Sequence, residues 1–215
     1  MAEKGALLVG LTGGIGSGKS KVASLLEELG AAVDCSDRIV RELQSPGAPG
    51  LRAIVEAFGE EYLTASGELD RPKLGKLVFE DAEARQRLNR LIHPLVTAEH
   101  QRRAAAHRAR GVEVIVADVP LLLEGRKAGV GTGALLPFDL IALVYARPEQ
   151  QLERVVARDK LAPADARARI AAQLPIDEKR ALADVVIDNS GDWEATAKQV
   201  RGLYSQWVER ARLTP

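Results

Sequence analysis

The stretch at residues 10–22 reads GLTGGIGSGKSKV and follows directly on the apolar run Ala6-Leu7-Leu8-Val9. Five glycines, two lysines and three hydroxyl side chains crowd into the turn after what reads as a buried strand. Glycines let successive backbone N–H groups turn inward around an anion, because no Cβ blocks the approach. The pattern Gly13-x-x-x-x-Gly18-Lys19-Ser20 is that of a phosphate loop. The backbone over Gly14, Ile15, Gly16, Ser17 and Gly18 would cradle phosphates, Lys19 would reach the β- and γ-phosphates, and the Ser20 hydroxyl would bind Mg²⁺. The pattern has meaning only between a strand and a helix, and both flanks are present. Val22, Leu25, Leu26 and Leu29 fall at helical spacing, and Gly30 stands where a helix C-cap glycine belongs. The bland alternative is a glycine-rich turn with no ligand. The complete motif between its proper flanks argues against it and implies a nucleoside triphosphate.

Working outward, 215 residues suit one medium domain with insertions, or one and a half domains. Apolar residues at 46% with only 4% aromatic imply an Ala/Leu/Val-rich core with many helices. Lys+Arg and Asp+Glu balance at 30 each, so no overall basic field announces a nucleic-acid partner, and no obligate protein partner is evident. The one cysteine, Cys35, excludes an internal disulfide and a cysteine-based zinc cluster, and fits a reducing compartment. The N-terminal apolar run is too short for a signal peptide, and no run of 18 apolar residues exists to span a membrane. The expected address is the cytoplasm.

Strands are expected at 6–11, 31–34, 112–118, 139–145 and 184–188, separated by mostly helical patterns. The last three are apolar runs, as for strands covered on both faces of a parallel sheet. The fold expected is α/β: a P-loop core with a parallel sheet flanked by helices, and ligands at the strands' C-terminal ends. Two segments stand outside it. Residues 43–110 read as half helical pattern and half turn, too long for a simple connection, and so as an inserted helical module. Residues 148–175 read as two helices, each started by a proline (Pro148, Pro163), and carry Arg154, Arg158, Arg167 and Arg169. The expected division is a nucleotide-binding core at 1–42 and 111–215, with a helical lid at about 148–175, and an insertion at 43–110.

Four groups of residues bear on chemistry. Asp118 ends an apolar strand, where an acid helps to hold Mg²⁺ beside a phosphate loop; otherwise it is a turn-starting residue before Pro120. Asp37 follows the second strand at another C-terminal end, where a carboxylate can accept the proton of an attacking hydroxyl, or merely cap a helix. Asp34 competes for that role, and Arg41 would share a helix face with Asp37. Arg154 and Arg158, four residues apart, can project together from a lid that closes positive charge over a nucleotide; their bland reading is a solvated helix face. His93-Pro94 interrupts the helical run RLNRLIHPLV, where a proline is expected to kink or restart the helix and the histidine to have a structural or substrate-positioning role.

Taken in order, LTGGIGSGKS (11–20), DRIVREL (37–43), LIHPLV (91–96), DVPLLLE (118–124), RVVARD (154–159), ARIAAQLPIDEK (168–179) and ADVVIDNSG (183–191) resemble the dephospho-coenzyme A kinase family nearly end to end. The resemblance implies a kinase that uses ATP and Mg²⁺ to phosphorylate the ribose 3′-hydroxyl of dephospho-CoA, the last step of coenzyme A synthesis. It also implies a helical CoA-binding insertion and a mobile lid. By the same resemblance Asp37 stands beside the acceptor hydroxyl, Lys19 and Ser20 are the phosphate and metal groups, and Arg158 is a lid arginine. The acceptor site is extended to Arg41, His93, Pro94, Pro120 and Leu121, and the nucleotide site to Lys21 and Arg154. Two departures stand out. Lys21 replaces the family's usual Thr after the loop serine, removing a hydroxyl available to the α-phosphate. Aligning the family's Asp-Ala-Asp on Asp37 leaves Cys35 in place of the first acid, with Asp34 one position earlier. The linker EGRKAGVGTGALLPFD (124–139) is also longer and richer in glycine than usual. A nucleoside or nucleoside monophosphate kinase shares the loop and the lid and differs in acceptor. A GTPase-type switch has only Asp188-Asn189-Ser190-Gly191 in its favour, late in the chain and with no Asn-Lys-x-Asp motif.

Overall fold

Strand β1 (Leu7–Gly13) is buried along its whole length, because it is the middle strand of a five-stranded sheet. A computed structural model describes residues 5–213. The other strands are β2 (Ala32–Cys35), β3 (Val114–Asp118), β4 (Leu140–Tyr145) and β5 (Val185–Asp188). All pairings are parallel and the order is β2-β3-β1-β4-β5. The strands expected from sequence are all present, shifted at their ends by up to two residues. Interior strands β3 and β4 are buried along their whole length, and apart from Asp118 at the end of β3 they are built of apolar and aromatic residues, because both their faces are covered. Leu11 and Cys35 both pair with Asp118, which brings the C-terminal ends of β1, β2 and β3 together at one edge.

One face of the sheet is covered by α1 (Lys19–Glu28) and α11 (Trp193–Leu213), whose Leu26, Val200 and Trp207 pack on Val9, Leu11 and Val116. The other face meets α5 (Ala82–Ala109), through Ala104, and α6 (Leu122–Ala128), through Leu122 and Leu123. Between β2 and α5 lie α2 (Ser36–Leu43), α3 (Pro49–Phe58), a 3₁₀ turn at Glu60–Tyr62 and α4 (Arg71–Glu80). These have an apolar cluster of their own, in which Ile39, Leu51, Ile54, Leu74, Ile92 and Val96 are buried. After β3 come α6, α7 (Gly131–Leu135) and β4; then α8 (Pro148–Asp159), α9 (Pro163–Ala171) and α10 (Ile176–Leu182) lead to β5. Both expected proline-started helices are there. No helix among the described residues is long and apolar enough to cross a membrane.

Two expectations are corrected. Segment 43–110 is predominantly helical, and α5 alone takes 28 residues. Pro94 neither ends nor restarts that helix, which runs through it unbroken. The proline removes one bond to the Arg90 carbonyl, and Arg90 is exposed, so water can serve that oxygen. Ile92 and Val96, buried on either side of the proline, anchor this part of the helix in the apolar cluster. The glycine-rich linker also acquires a reason: a Cβ at Gly133 would lie 2.0 Å from the Leu122 carbonyl, so α6 and α7 can pack this closely only without one.

Candidate active site

The loop between β1 and α1 turns back on itself, with the Ser17 N–H donating to the Gly14 carbonyl at 3.0 Å. Gly18 precedes α1 at φ 90° and supplies no side-chain cap, so N–H groups of the first turn are left for another acceptor. The Ser17 hydroxyl is buried and has no hydrogen-bond partner. Around this loop a cavity is lined by Gly13, Gly14, Ile15, Gly16, Gly18, Lys19, Ser20, Lys21, Asp37, Pro120, Arg154, Arg158 and Gln173. Apart from buried Ser17, every residue expected to touch the nucleotide borders it.

Two side chains hydrogen-bond to the loop and a third packs on it, and their roles were not read from the sequence. The Asn189 amide, at the end of β5, donates to the Ser17 carbonyl at 2.8 Å and accepts from the Thr196 hydroxyl at 3.0 Å. A Cβ on Gly18 would fall 2.2 Å from that amide nitrogen, so both the room and the positive φ call for glycine. Gln173, between α9 and α10, accepts the Ile15 N–H at 3.0 Å. Gln151 of α8 is buried over the loop, and its side chain donates to the Ala146 carbonyl at 2.8 Å. Gln173 and Asn189 both lie inside quoted motifs, ARIAAQLPIDEK and ADVVIDNSG, which was the only available signal. Asn189 is part of the run with the switch-like pattern, and in the structure it serves the phosphate loop.

Lys19 donates to the carboxylate of Asp118, which is 5% exposed. Burial pushes the Asp118 carboxyl above its ordinary range, the Lys19 ammonium opposes this, and the charge of Asp37 adds to the push. Asp37 and Asp118 therefore share one electrostatic field. Asp37 is exposed in the first turn of α2 and lines the cavity. Asp34 does not: it is buried, accepting from His107 Nε2 at 3.1 Å and from Arg103 at 3.4 Å. Cys35 is a free, half-buried thiol.

The arginines divide. Arg154 is half-buried and donates to the backbone carbonyls of Asn189 at 3.0 Å and Gly16 at 3.4 Å. Arg158 is exposed and forms a two-pronged pair with Asp159, at 2.7 and 3.0 Å. Lys21 borders the cavity with its ammonium 3.9 Å from the centre of the Trp193 ring. Of the expected acceptor residues only Asp37 and Pro120 reach this cavity. Arg41, Pro94 and Leu121 are exposed outside it, and His93 is half-buried against α7, where burial lowers its pKa.

For a phosphorylated nucleotide the fit is good: open helix-terminal N–H groups, a buried hydroxyl in want of a partner and a lysine in reach of the same space. For Mg²⁺ the residues that would hold it are Ser20 and Asp118, through their oxygens. Mg²⁺ bound with a nucleotide takes one or two protein groups and the phosphate oxygens, so a sparse donor set is the appropriate one.

A parallel sheet in the order β2-β3-β1-β4-β5, with this loop at the tip of its central strand, is the architecture of the P-loop kinases. The family model described as dephospho-CoA kinase matches residues 7–195. A dephospho-CoA kinase of Streptomyces avermitilis is 45% identical over 205 residues, 95% of this chain and 96% of that one. One from Carboxydothermus hydrogenoformans is 42% identical over 200 residues, 93% and 94% of the two chains. A Thermus thermophilus protein of known crystal structure superimposes with a TM-score of 0.73 at 30% identity, covering 94% of this chain and 98% of its own. The chain belongs to the dephospho-CoA kinase family.

Proposed function

We propose that this chain transfers the γ-phosphoryl group of ATP to the ribose 3′-hydroxyl of dephospho-CoA, completing coenzyme A in the cytoplasm. The observation that carries the reading is one cavity holding the phosphate loop, Lys19 and the Asp37 carboxylate together, in a member of this family. The loop N–H groups and Lys19 bind the phosphates and stabilise charge that spreads over them during transfer. Lys19 exchanges its bond to Asp118 for one to the phosphates, which leaves Asp118 and Ser20 to hold Mg²⁺. When bound, that ion neutralises phosphate charge. Asp37 accepts the proton of the acceptor hydroxyl. Asp34, the other acid of the junction, is occupied by His107 and Arg103.

The segments have matching roles in the proposal. Residues 43–110, whose apolar cluster also takes in Ile39 of α2, form the acceptor-binding insertion. Residues 148–175 form the lid, whose Arg158 turns from Asp159 towards the nucleotide when it closes and excludes water. ADP release measured with and without dephospho-CoA, and with nucleoside monophosphates in its place, tests the substrate. Turnover only with a nucleoside monophosphate would overturn it. Asp37→Asn keeps size and capping ability but loses the base, so kcat should fall on the order of 10²–10⁴ with ATP affinity little changed. A normal kcat would remove Asp37 from the chemistry.

A further inference from the structure

Helix α2 starts directly from β2, with Cys35 as N-cap and no side chain capping it. An uncapped helix start is normally a place that frays, yet here it carries the side chain on which proton transfer is proposed to depend. What holds it comes from the side. Ser36, the first residue of α2, shares a 2.9 Å hydrogen bond with His100 Nε2 on α5, and both side chains are buried. Just upstream, Asp34 accepts from His107 Nε2 and from Arg103. The far end of α2 is also tied, because Glu42 accepts from the same Arg103, which Glu99 further steadies at 2.7 Å.

His100, Arg103 and His107 are three and four residues apart, which sets them on one face of α5. Arg110 donates to His107 Nδ1 at 2.6 Å, so Nε2 carries the proton and donates to Asp34; the tautomer is thereby fixed. The same helix belongs to the insertion assigned to the acceptor and packs on α7 through His93 and Thr97. Ser36 stands between Cys35 and Asp37 at the junction, and Asp34 lies one position before that tripeptide.

We propose that His100, through Ser36, and Arg103 with His107, through Asp34, are positioning residues that lock the Asp37 carboxylate to the acceptor-binding helix α5. None of them touches the reacting atoms. The proposal rests on the reading of Asp37 as the proton acceptor. A carboxylate displaced by about 1 Å loses orders of magnitude in transfer rate while the phosphate loop, held from β5 and α8, is undisturbed. The clamp therefore acts on kcat and on the acceptor, not on ATP.

The test is a set of steady-state and calorimetric measurements on His100→Leu, His100→Gln and Asp34→Asn, each made in the wild type and in Asp37→Asn. His100→Leu should lower kcat by roughly tenfold or more and raise the KM for dephospho-CoA, with the ATP dissociation constant within about twofold. Asp34→Asn should move the same constants in the same direction. His100→Gln, whose amide can meet the Ser36 hydroxyl, should recover most of the loss. In the Asp37→Asn background His100→Leu should cost nothing further, since there is no base left to position. Equal losses in both backgrounds, or a matching loss of ATP affinity, would overturn the clamp and leave the Asp37 reading intact. Normal turnover by Asp37→Asn alone would overturn that reading and the clamp with it. If His100→Leu does not fold, Ser36→Ala, smaller and free of steric conflict, takes its place with the same expectations.

Discussion

The side-chain amide of Asn189 donates to the backbone carbonyl of Ser17 across 172 positions of sequence, joining the last strand to the first loop. It lies directly over Gly18 and is itself oriented by Thr196. The phosphate loop is thus shaped by a buried side chain as well as by its own glycines.

Asn189→Ala should leave the Ser17 carbonyl buried and unpaired, at a cost of about 1–3 kcal/mol. Part of it should appear as weaker ATP binding, on the order of tenfold, with kcat at saturation less affected. Asn189→Asp should be worse, since a carboxylate would then face the Ser17 carbonyl. Calorimetric titration with ATP decides: affinity unchanged in both variants would show that the loop keeps its shape unaided.

Lys19→Ala removes the cation that balances Asp118 and is proposed to track the phosphates. Loss of one such electrostatic contact typically costs about 10²–10³ in kcat. Activity within threefold of wild type would contradict the assignment of Lys19 to the transferring group.

Arg158 is paired with Asp159 in this structure; its own side chain is exposed, and Asp159 keeps a second cation, Arg169 at 3.5 Å, if Arg158 turns away. Arg158→Ala should reduce kcat on the order of 10²-fold and ATP affinity much less, since its contact with the nucleotide is proposed to form mainly in the closed state. Arg158→Lys should recover only part, lacking the planar fork that grips phosphate. Kinetics alongside binding separate the outcomes; an affinity loss as large as the kinetic loss would place Arg158 in ground-state binding instead.

Burial lowers the pKa of His100 to about 4 from an ordinary 6.5. Between these values the unfolded chain binds a proton that the folded one refuses, so stability falls as pH drops from 6.5 towards 4. The full effect is roughly 3 kcal/mol at the acid end of that window. His93, also lowered by burial, adds in the same direction, and Glu99, held at about 2 by Arg102 and Arg103, adds a further loss only below its ordinary 4.5. Urea unfolding of His100→Gln from pH 7.5 to 4.5 should show a shallower decline than wild type. Parallel curves would mean that His100 titrates normally.

What the sequence by itself determined was local. Strand, glycine loop and helix at residues 7–28 follow from apolar periodicity and from where a backbone without Cβ atoms can turn. Pro148 and Pro163 start α8 and α9 because proline at a first helical position sacrifices no intrahelical bond. Pro94 was misread by that same local logic. Its missing bond counts for little once Ile92 and Val96 are buried, and burial is a property of the whole fold. Residue pattern alone left Asp34 and Asp37 as rivals, and only the family resemblance favoured Asp37. Both end the same strand region, and only packing against α5 buries one while α2 presents the other to the cavity. Asn189 over Ser17 and Gln173 on Ile15 were likewise decided by tertiary structure. The groups meet across 172 and 158 residues, and a hydrogen bond depends on position in space, which spacing along a chain does not encode.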